Sequence, residues 1–115
     1  MIITSNGKNI AREKIENILN LSPYILQSLV AGHKKNYLAA LIVFQGEGKT
    51  PAEQTDLIAQ ELKKINKQLD AQEQIRRFHL LPRAFSLEEG ELTPTLKLRR
   101  KIIEAEYHEI IEKLY

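Results

Sequence analysis

The stretch GELTPTLKLRRK, residues 90–101, holds the side chains best suited to chemistry, with four cations in the five positions from Lys97 to Lys101. Such a run is commonly a solvated face. Its setting is unusual for one: Gly90 breaks the chain, Pro94 fixes φ and removes a donor, and Thr93 and Thr95 favour extended backbone. A constrained loop leading into a helix can present one lysine at a repeatable angle. Two readings of Lys97 therefore stand, one more solvated charge or a cation delivered to a site.

Other candidate chemistry is weaker. GEGKT at 46–50 lies where a phosphate-cradling loop would sit, but Val43 occupies the place of the first Walker glycine and Pro51 that of the third dinucleotide glycine. An ordinary connector is expected there. His33, His79 and His108 are scattered without partners at ligand spacing, so surface or packing roles are expected and no metal site is assigned. Glu88, Glu89 and Glu91 share one turn and are expected to form a solvated charge cluster. The chain has no cysteine, which excludes disulfides, thiolate metal sites and cysteine nucleophiles.

These groups must be positioned by a single domain, since 115 residues supply one modest core. Ser5-Asn6-Gly7 between short apolar segments predicts a glycine-turn β-hairpin near the N-terminus. Ile15, Ile18 and Leu19 predict a helix over about 12–20, stopped at Ser22-Pro23. ILQSLVAGHKKNYLAALIVF reads as two strands around a turn at His33 to Asn36, and its second arm, Leu38 to Phe44, is apolar on both faces, as in a central strand. Thr50 and Glu53 around Pro51 form a capping box, followed by a helix with Ile58, Leu62, Ile65 and Leu69 on one face. A strand is expected over Arg76 to Phe85, and a last helix carrying Ile102, Ile103, Ile110, Ile111 and Leu114. The sum is an α+β fold, a small β-sheet covered by about three helices.

The formal net charge is only +2, and no aromatic stacking pair lies among the cations, so nucleic-acid binding is not expected. A free-standing module that grips a polyanion through residues 97–101 remains the reading from another class. No apolar run is long enough to cross a bilayer. A cytoplasmic setting is expected.

Three stretches together resemble a known family: SNGKNIAREKIE at 5–16, EQIRRFHLLPRAFS at 73–86 and GELTPTLKLRRKII at 90–103. The chain resembles the C-terminal domain of the AMP-forming acyl-CoA synthetases, a superfamily that includes luciferases and peptide-synthetase adenylation domains. The Thr-Pro-Thr-Leu-Lys form, with Leu96-Lys97 where most members have Gly-Lys, is similar to the long-chain fatty acyl-CoA ligases. Members commonly have proline where Arg12 stands, which reads as tolerated variation.

The resemblance implies an enzyme that activates a fatty acid with ATP and Mg2+ to acyl-adenylate and pyrophosphate, then transfers the acyl group to coenzyme A. It implies that residues 1–115 form a mobile lid whose partner is its own N-terminal ATP- and acid-binding domain. The chain starts where the hinge between the two would end, so that domain is expected to lie outside it and the lid is expected to be inactive alone. Lys97 matches the lysine that enters the active site for adenylation. Gly7 matches the loop that lines the pantetheine path, with Thr4, Ser5, Lys8 and Asn9 as further candidates on it. Lys34, Lys35, Arg76 and Arg77 are weaker candidates for the coenzyme A phosphates. The resemblance leaves room for acyl-carrier protein as the acceptor, and for peripheral membrane association of the parent enzyme.

Overall fold

The computed structural model describes residues 2–5 and 7–115; Asn6 of the expected turn lies outside the described residues. Strands β1 (Ile2–Ile3) and β2 (Asn9–Ile10) pair antiparallel, with Ile2 opposite Ile10 and Ile3 opposite Asn9. This is the predicted N-terminal hairpin. Helix α1 (Arg12–Leu19) follows, burying Ile15 and Leu19.

A three-stranded mixed sheet forms the centre of the domain. β3 (Ile25–Ala31) runs antiparallel to β4 (Leu38–Phe44), which lies parallel to β5 (Ile75–Leu80), so β4 is central. Helix α2 (Pro51–Asn66) makes the crossover that a parallel pair requires. Its predicted capping box is present: Glu53 N donates to Thr50 Oγ1 at 3.2 Å and Thr50 N to Glu53 Oε1 at 3.3 Å, with Pro51 at the first helical position.

Alternation along β4 explains why that strand is apolar throughout. Leu38, Ala40 and Ile42 join Ile15, Leu19, Ile58 and Leu62 in a cluster beneath α1 and α2. Leu41 and Val43 face the other way, with Leu81, Phe85, Leu92, Ile103 and Ile111. On β3, a bulge between Ile25 and Gln27 shifts the alternation by one residue, so that Ile25 and Val30 share a face despite their odd spacing. The sheet is thus covered on both sides, as its sequence predicts.

Two elements differ from expectation. The strand expected to reach Phe85 ends at Leu80, just before Pro82, which has no N–H for the ladder. Leu81 makes a last bond, its N–H donating to Ile42 O at 2.9 Å. The chain then leaves the sheet, and Leu81 and Phe85 pack on the face opposite Phe78 and Leu80. The last helix is divided in two, α3 (Arg100–Glu106) and α4 (His108–Lys113), making four helices among the described residues. The break falls at Tyr107, whose φ of −106° and ψ of 21° leave the helical range, while Ile103 before it and Ile111 after it are buried in the same cluster. Ile102, expected in that stripe, is exposed. No described helix is long and apolar enough to cross a membrane.

Leu41 is fully buried at the centre of the sheet. Leu41→Ala is expected to cost about 2–5 kcal/mol in urea unfolding; a loss below 1 kcal/mol would contradict this packing.

Candidate functional site

Lys97 is exposed on a loop between Glu91 and α3. The loop is a tight reversal. Leu92 and Leu98 form an antiparallel bridge, Thr93 N donates to Lys97 O at 2.8 Å and Leu96 N to Thr93 O at 2.7 Å. Thr93 also acts through its side chain: Lys97 N donates to its Oγ1 at 3.1 Å, and its hydroxyl lies 3.1 Å from that of Thr95. Threonine and proline therefore stiffen the turn, in line with the sequence.

What fixes the loop to the domain was not apparent from spacing. At its start, Glu91 is fully buried and not part of a solvated cluster, correcting the expectation. Arg83 grips it with a fork, Nη1 to Oε1 at 2.7 Å and Nη2 to Oε2 at 3.1 Å, and Ser86 N donates to Oε1 at 3.1 Å. The carboxylate has partners for the water it loses, which is why it can sit inside. Arg83 Nη2 also reaches Glu106 of α3 at 3.0 Å.

At the far end, Arg100 pairs with Glu16 of α1 through both its terminal nitrogens, Nη1 to Oε2 at 2.7 Å and Nη2 to Oε1. Glu16 is buried and also accepts from Val30 N at 2.7 Å. The residues 97–101 are therefore not one even basic face, since Arg100 turns inward. That weakens the polyanion reading. The lysine borders a groove of about 360 Å3, with Leu92, Leu96 and Leu98 beside it and Glu13, Asn17, Asn20, Gln27 and Ser28 from α1 and β3 lining the rest.

The ion pairs shift titration in opposite senses. Burial, the largest single influence, would raise the Glu91 carboxyl, but hydrogen bonds with Arg83, Glu106 and the Ser86 N–H, together with the Arg83 charge, outweigh it and hold the pKa below the ordinary value. Glu106 is pushed up, chiefly by hydrogen bonding with Glu91 and then by burial. The Arg83 and Arg100 guanidiniums are each raised, first by the hydrogen bonds to Glu91 and to Glu16 respectively.

The second candidate loop lies elsewhere. Gly7 has φ 79°, a conformation that glycine adopts without a Cβ penalty, and a Cβ built there would meet nothing within 4 Å. The hairpin is tied to the β3–β4 turn: Lys34 N donates to Ile3 O at 2.8 Å, Ser5 N to Lys35 O at 2.9 Å, and Ile3 N to His33 Nδ1 at 3.2 Å. Ser5 Oγ donates to Asn36 Oδ1. Thr4 is buried and its hydroxyl accepts from Lys8 N at 3.2 Å, so it shapes the turn instead of facing outward. Lys8 and Asn9 are exposed. Lys8 and Arg76 line a second groove of about 280 Å3 with Thr4, Asn36, Tyr37 and Gln74. Lys35 is engaged by Glu112 at 2.8 Å and lies over Tyr115, while Lys34 and Arg77 are exposed.

The two loops are thus not brought together. The lysine groove opens beside Gln27 and Ser28, early in β3, and the hairpin docks on the turn after that strand ends. Roughly 15–20 Å of extended chain separates these attachments.

The remaining candidates play structural or surface parts. Residues 46–50 are exposed, and Thr50 is used as the helix cap. All three histidines are exposed. Arg12, at the first position of α1, donates from Nη1 to Glu104 Oε1 of α3 at 2.9 Å, a tie that proline could not make.

The family model for the AMP-binding enzyme C-terminal domain matches residues 1–115. The chain belongs to that family. Among similar proteins, this C-terminal domain is 34% identical to the long-chain-fatty-acid–CoA ligase FadD15 of Mycobacterium tuberculosis over 134 aligned positions, covering 100% of the chain and 22% of the ligase. It is 30% identical to the chloroplastic long-chain-fatty-acid–[acyl-carrier-protein] ligase AEE15 of Arabidopsis thaliana, covering 99% of the chain and 16% of that protein. Its fold matches the crystal structure of the adenylation domain of a carboxylate reductase from Mycobacterium chelonae, with TM-score 0.90 and 29% identity over 99% of the chain and 19% of that structure. The chain therefore spans about a fifth of the length of these relatives.

The buried carboxylate gives a test of the loop's anchor. With its pKa depressed below the ordinary 4.5, Glu91 contributes stability that is complete above that pH and is lost as pH falls through the lower folded value. Glu106, raised, contributes in the opposite sense, with stability present below 4.5 and lost as pH rises through its folded value. Glu91→Gln removes the first part and, because Glu91 is the chief cause of the Glu106 shift, the second with it, so the comparison is made in a Glu106→Gln background, where adding Glu91→Gln is expected to make urea stability fall less steeply between about pH 5 and pH 3. Equal slopes would refute the anchor.

Proposed function

We propose that this domain is the mobile lid of a long-chain fatty acid–CoA ligase, with Lys97 serving adenylation and the Gly7 loop serving thioester formation. The observation that carries the reading is an exposed lysine on a stiff turn whose two ends are held by arginine pairs to buried carboxylates. The family and the long-chain relatives support the reaction class. The large ATP- and acid-binding domain is part of the proposal, as is a cytoplasmic setting with peripheral membrane contact of the complete enzyme.

In the first half-reaction a fatty-acid carboxylate oxygen attacks the α-phosphorus of ATP. The bond to the bridging oxygen breaks, and pyrophosphate leaves. Negative charge concentrates on the phosphoryl oxygens as two anions approach. A fixed ammonium aimed there stabilises the transition state more than the ground state. The Mg2+ that accompanies ATP is assigned, with the nucleotide, to the large domain.

In the second half-reaction the coenzyme A thiol loses its proton, its sulfur attacks the acyl carbonyl, and AMP leaves. Open space beside Gly7 suits the close passage of a pantetheine arm. Lys8 and Arg76 in the adjoining groove suit phosphates. Separation of the two loops suits a lid that turns between half-reactions, since neither loop can take the other's place by local motion. The carrier-protein ligase among the relatives keeps acyl-carrier protein as the alternative acceptor. Competition between coenzyme A and carrier protein in the complete enzyme separates them.

In the complete enzyme, Lys97→Ala is expected to lower palmitate-dependent ATP–pyrophosphate exchange by about 100- to 1,000-fold, or about 3–4 kcal/mol. Thioester formation from preformed palmitoyl-adenylate should survive. If exchange persists, Lys97 is not the adenylation cation. Gly7→Val is expected to show the reverse split, with about 1–2 kcal/mol of folding cost from backbone strain. Retained thioester formation in that variant would remove the loop from the pantetheine path.

A further inference from the structure

Leu96 precedes Lys97 in a conformation that leucine avoids. Its φ is 65°, in the left-handed region where Cβ crowds the backbone and glycine would be at ease. Core packing does not account for the leucine, because the residue is 68% exposed. Its two apolar neighbours turn back toward the domain, Leu92 buried and Leu98 packed against the same cluster. Leu96 is therefore the one leucine of residues 90–99 presented outward. Strain and an exposed isobutyl group coincide, and neither stabilises the domain by itself. Backbone strain of this kind concentrates where function uses it.

We propose that Leu96 is a positioning residue. As Lys97 reaches the large domain, the Leu96 side chain packs against an apolar patch on that domain and sets the depth and angle at which the ammonium arrives. This rests on the lid reading above. The large domain is the occupant because the two residues are consecutive, with Cα atoms about 3.8 Å apart. A body that receives the lysine must also cover the leucine. The turn bonds through Thr93 hold both residues, so contact made by one fixes the other.

The test uses the complete enzyme with Leu96→Gly, Leu96→Ala, Leu96→Met and Lys97→Ala. Glycine and alanine at position 96 are expected to lower kcat for palmitate-dependent exchange about tenfold, equivalent to about 1.4 kcal/mol. KM for ATP and palmitate should hold within about twofold, because the contact is to protein and not to substrate. Thioester formation from preformed adenylate should be retained, methionine should restore exchange to within about threefold of wild type, and the glycine variant should melt no lower than wild type. Wild-type exchange in Leu96→Gly, or methionine failing as badly as alanine, overturns the proposal. So does a rise in KM for palmitate at unchanged kcat, which would place the acyl chain on Leu96. Lys97→Ala separates the layers: if it loses exchange while Leu96→Gly keeps it, only the positioning role falls, and if it keeps exchange the lid reading falls with it.

Discussion

Glu16 is the residue on which the arrangement turns. A buried carboxylate is costly unless its oxygens are satisfied, and here it accepts from the Val30 N–H on the edge of β3 and from both terminal nitrogens of Arg100. It therefore joins α1, the sheet and the entry to α3 at one point. It also covers a backbone donor on an edge strand, a group that would otherwise invite pairing with another chain. Removal of Arg100 leaves an unpaired buried charge on Glu16, so the pair acts more as a register pin than as a source of net stability.

The second pin, Arg83 with Glu91, works from the opposite face of the sheet. Between the pins runs the turn that bears Lys97, and the turn's own bonds centre on Thr93. The hairpin with Gly7 is held differently, by main-chain bonds to the β3–β4 turn. That turn is in its turn supported from α4 and beyond: Lys35 reaches Glu112, and Tyr37 donates its hydroxyl to Leu114 O at 2.6 Å. Two loops with separate supports can be disturbed independently.

Much of this was legible in the sequence because it depends on local rules. A run apolar on both faces identified β4 as the central strand, Thr50-Pro51-Glu53 identified the start of α2, and the glycine turn identified the hairpin. Lys97 stood out because glycine, threonine and proline mark a constrained turn. The buried ionic partners were not legible. Glu16 sits next to the apolar stripe of α1, Glu91 sits among two exposed glutamates, and Arg100 sits inside a basic run, so local composition describes all three as surface. Their partners lie 84 residues apart for Glu16 and Arg100, and 8 for Arg83 and Glu91. Only the tertiary fold brings them together. The early end of β5 was missed for a similar reason, since it reflects which face of the sheet the chain must reach next.

The anchored lysine turn has a consequence for rate as well as for shape. Ordering a flexible segment costs about 1–2 kcal/mol per residue in backbone entropy. For residues 90–99 that loss falls in folding, because the pins and the Thr93 bonds have already selected one conformation. Each encounter then requires the orientation of a whole rigid body and not the search of a loose arm. Under the lid reading proposed above, the speed at which the ammonium is placed and withdrawn would be set by motion of the domain as a whole and not by ordering of the loop.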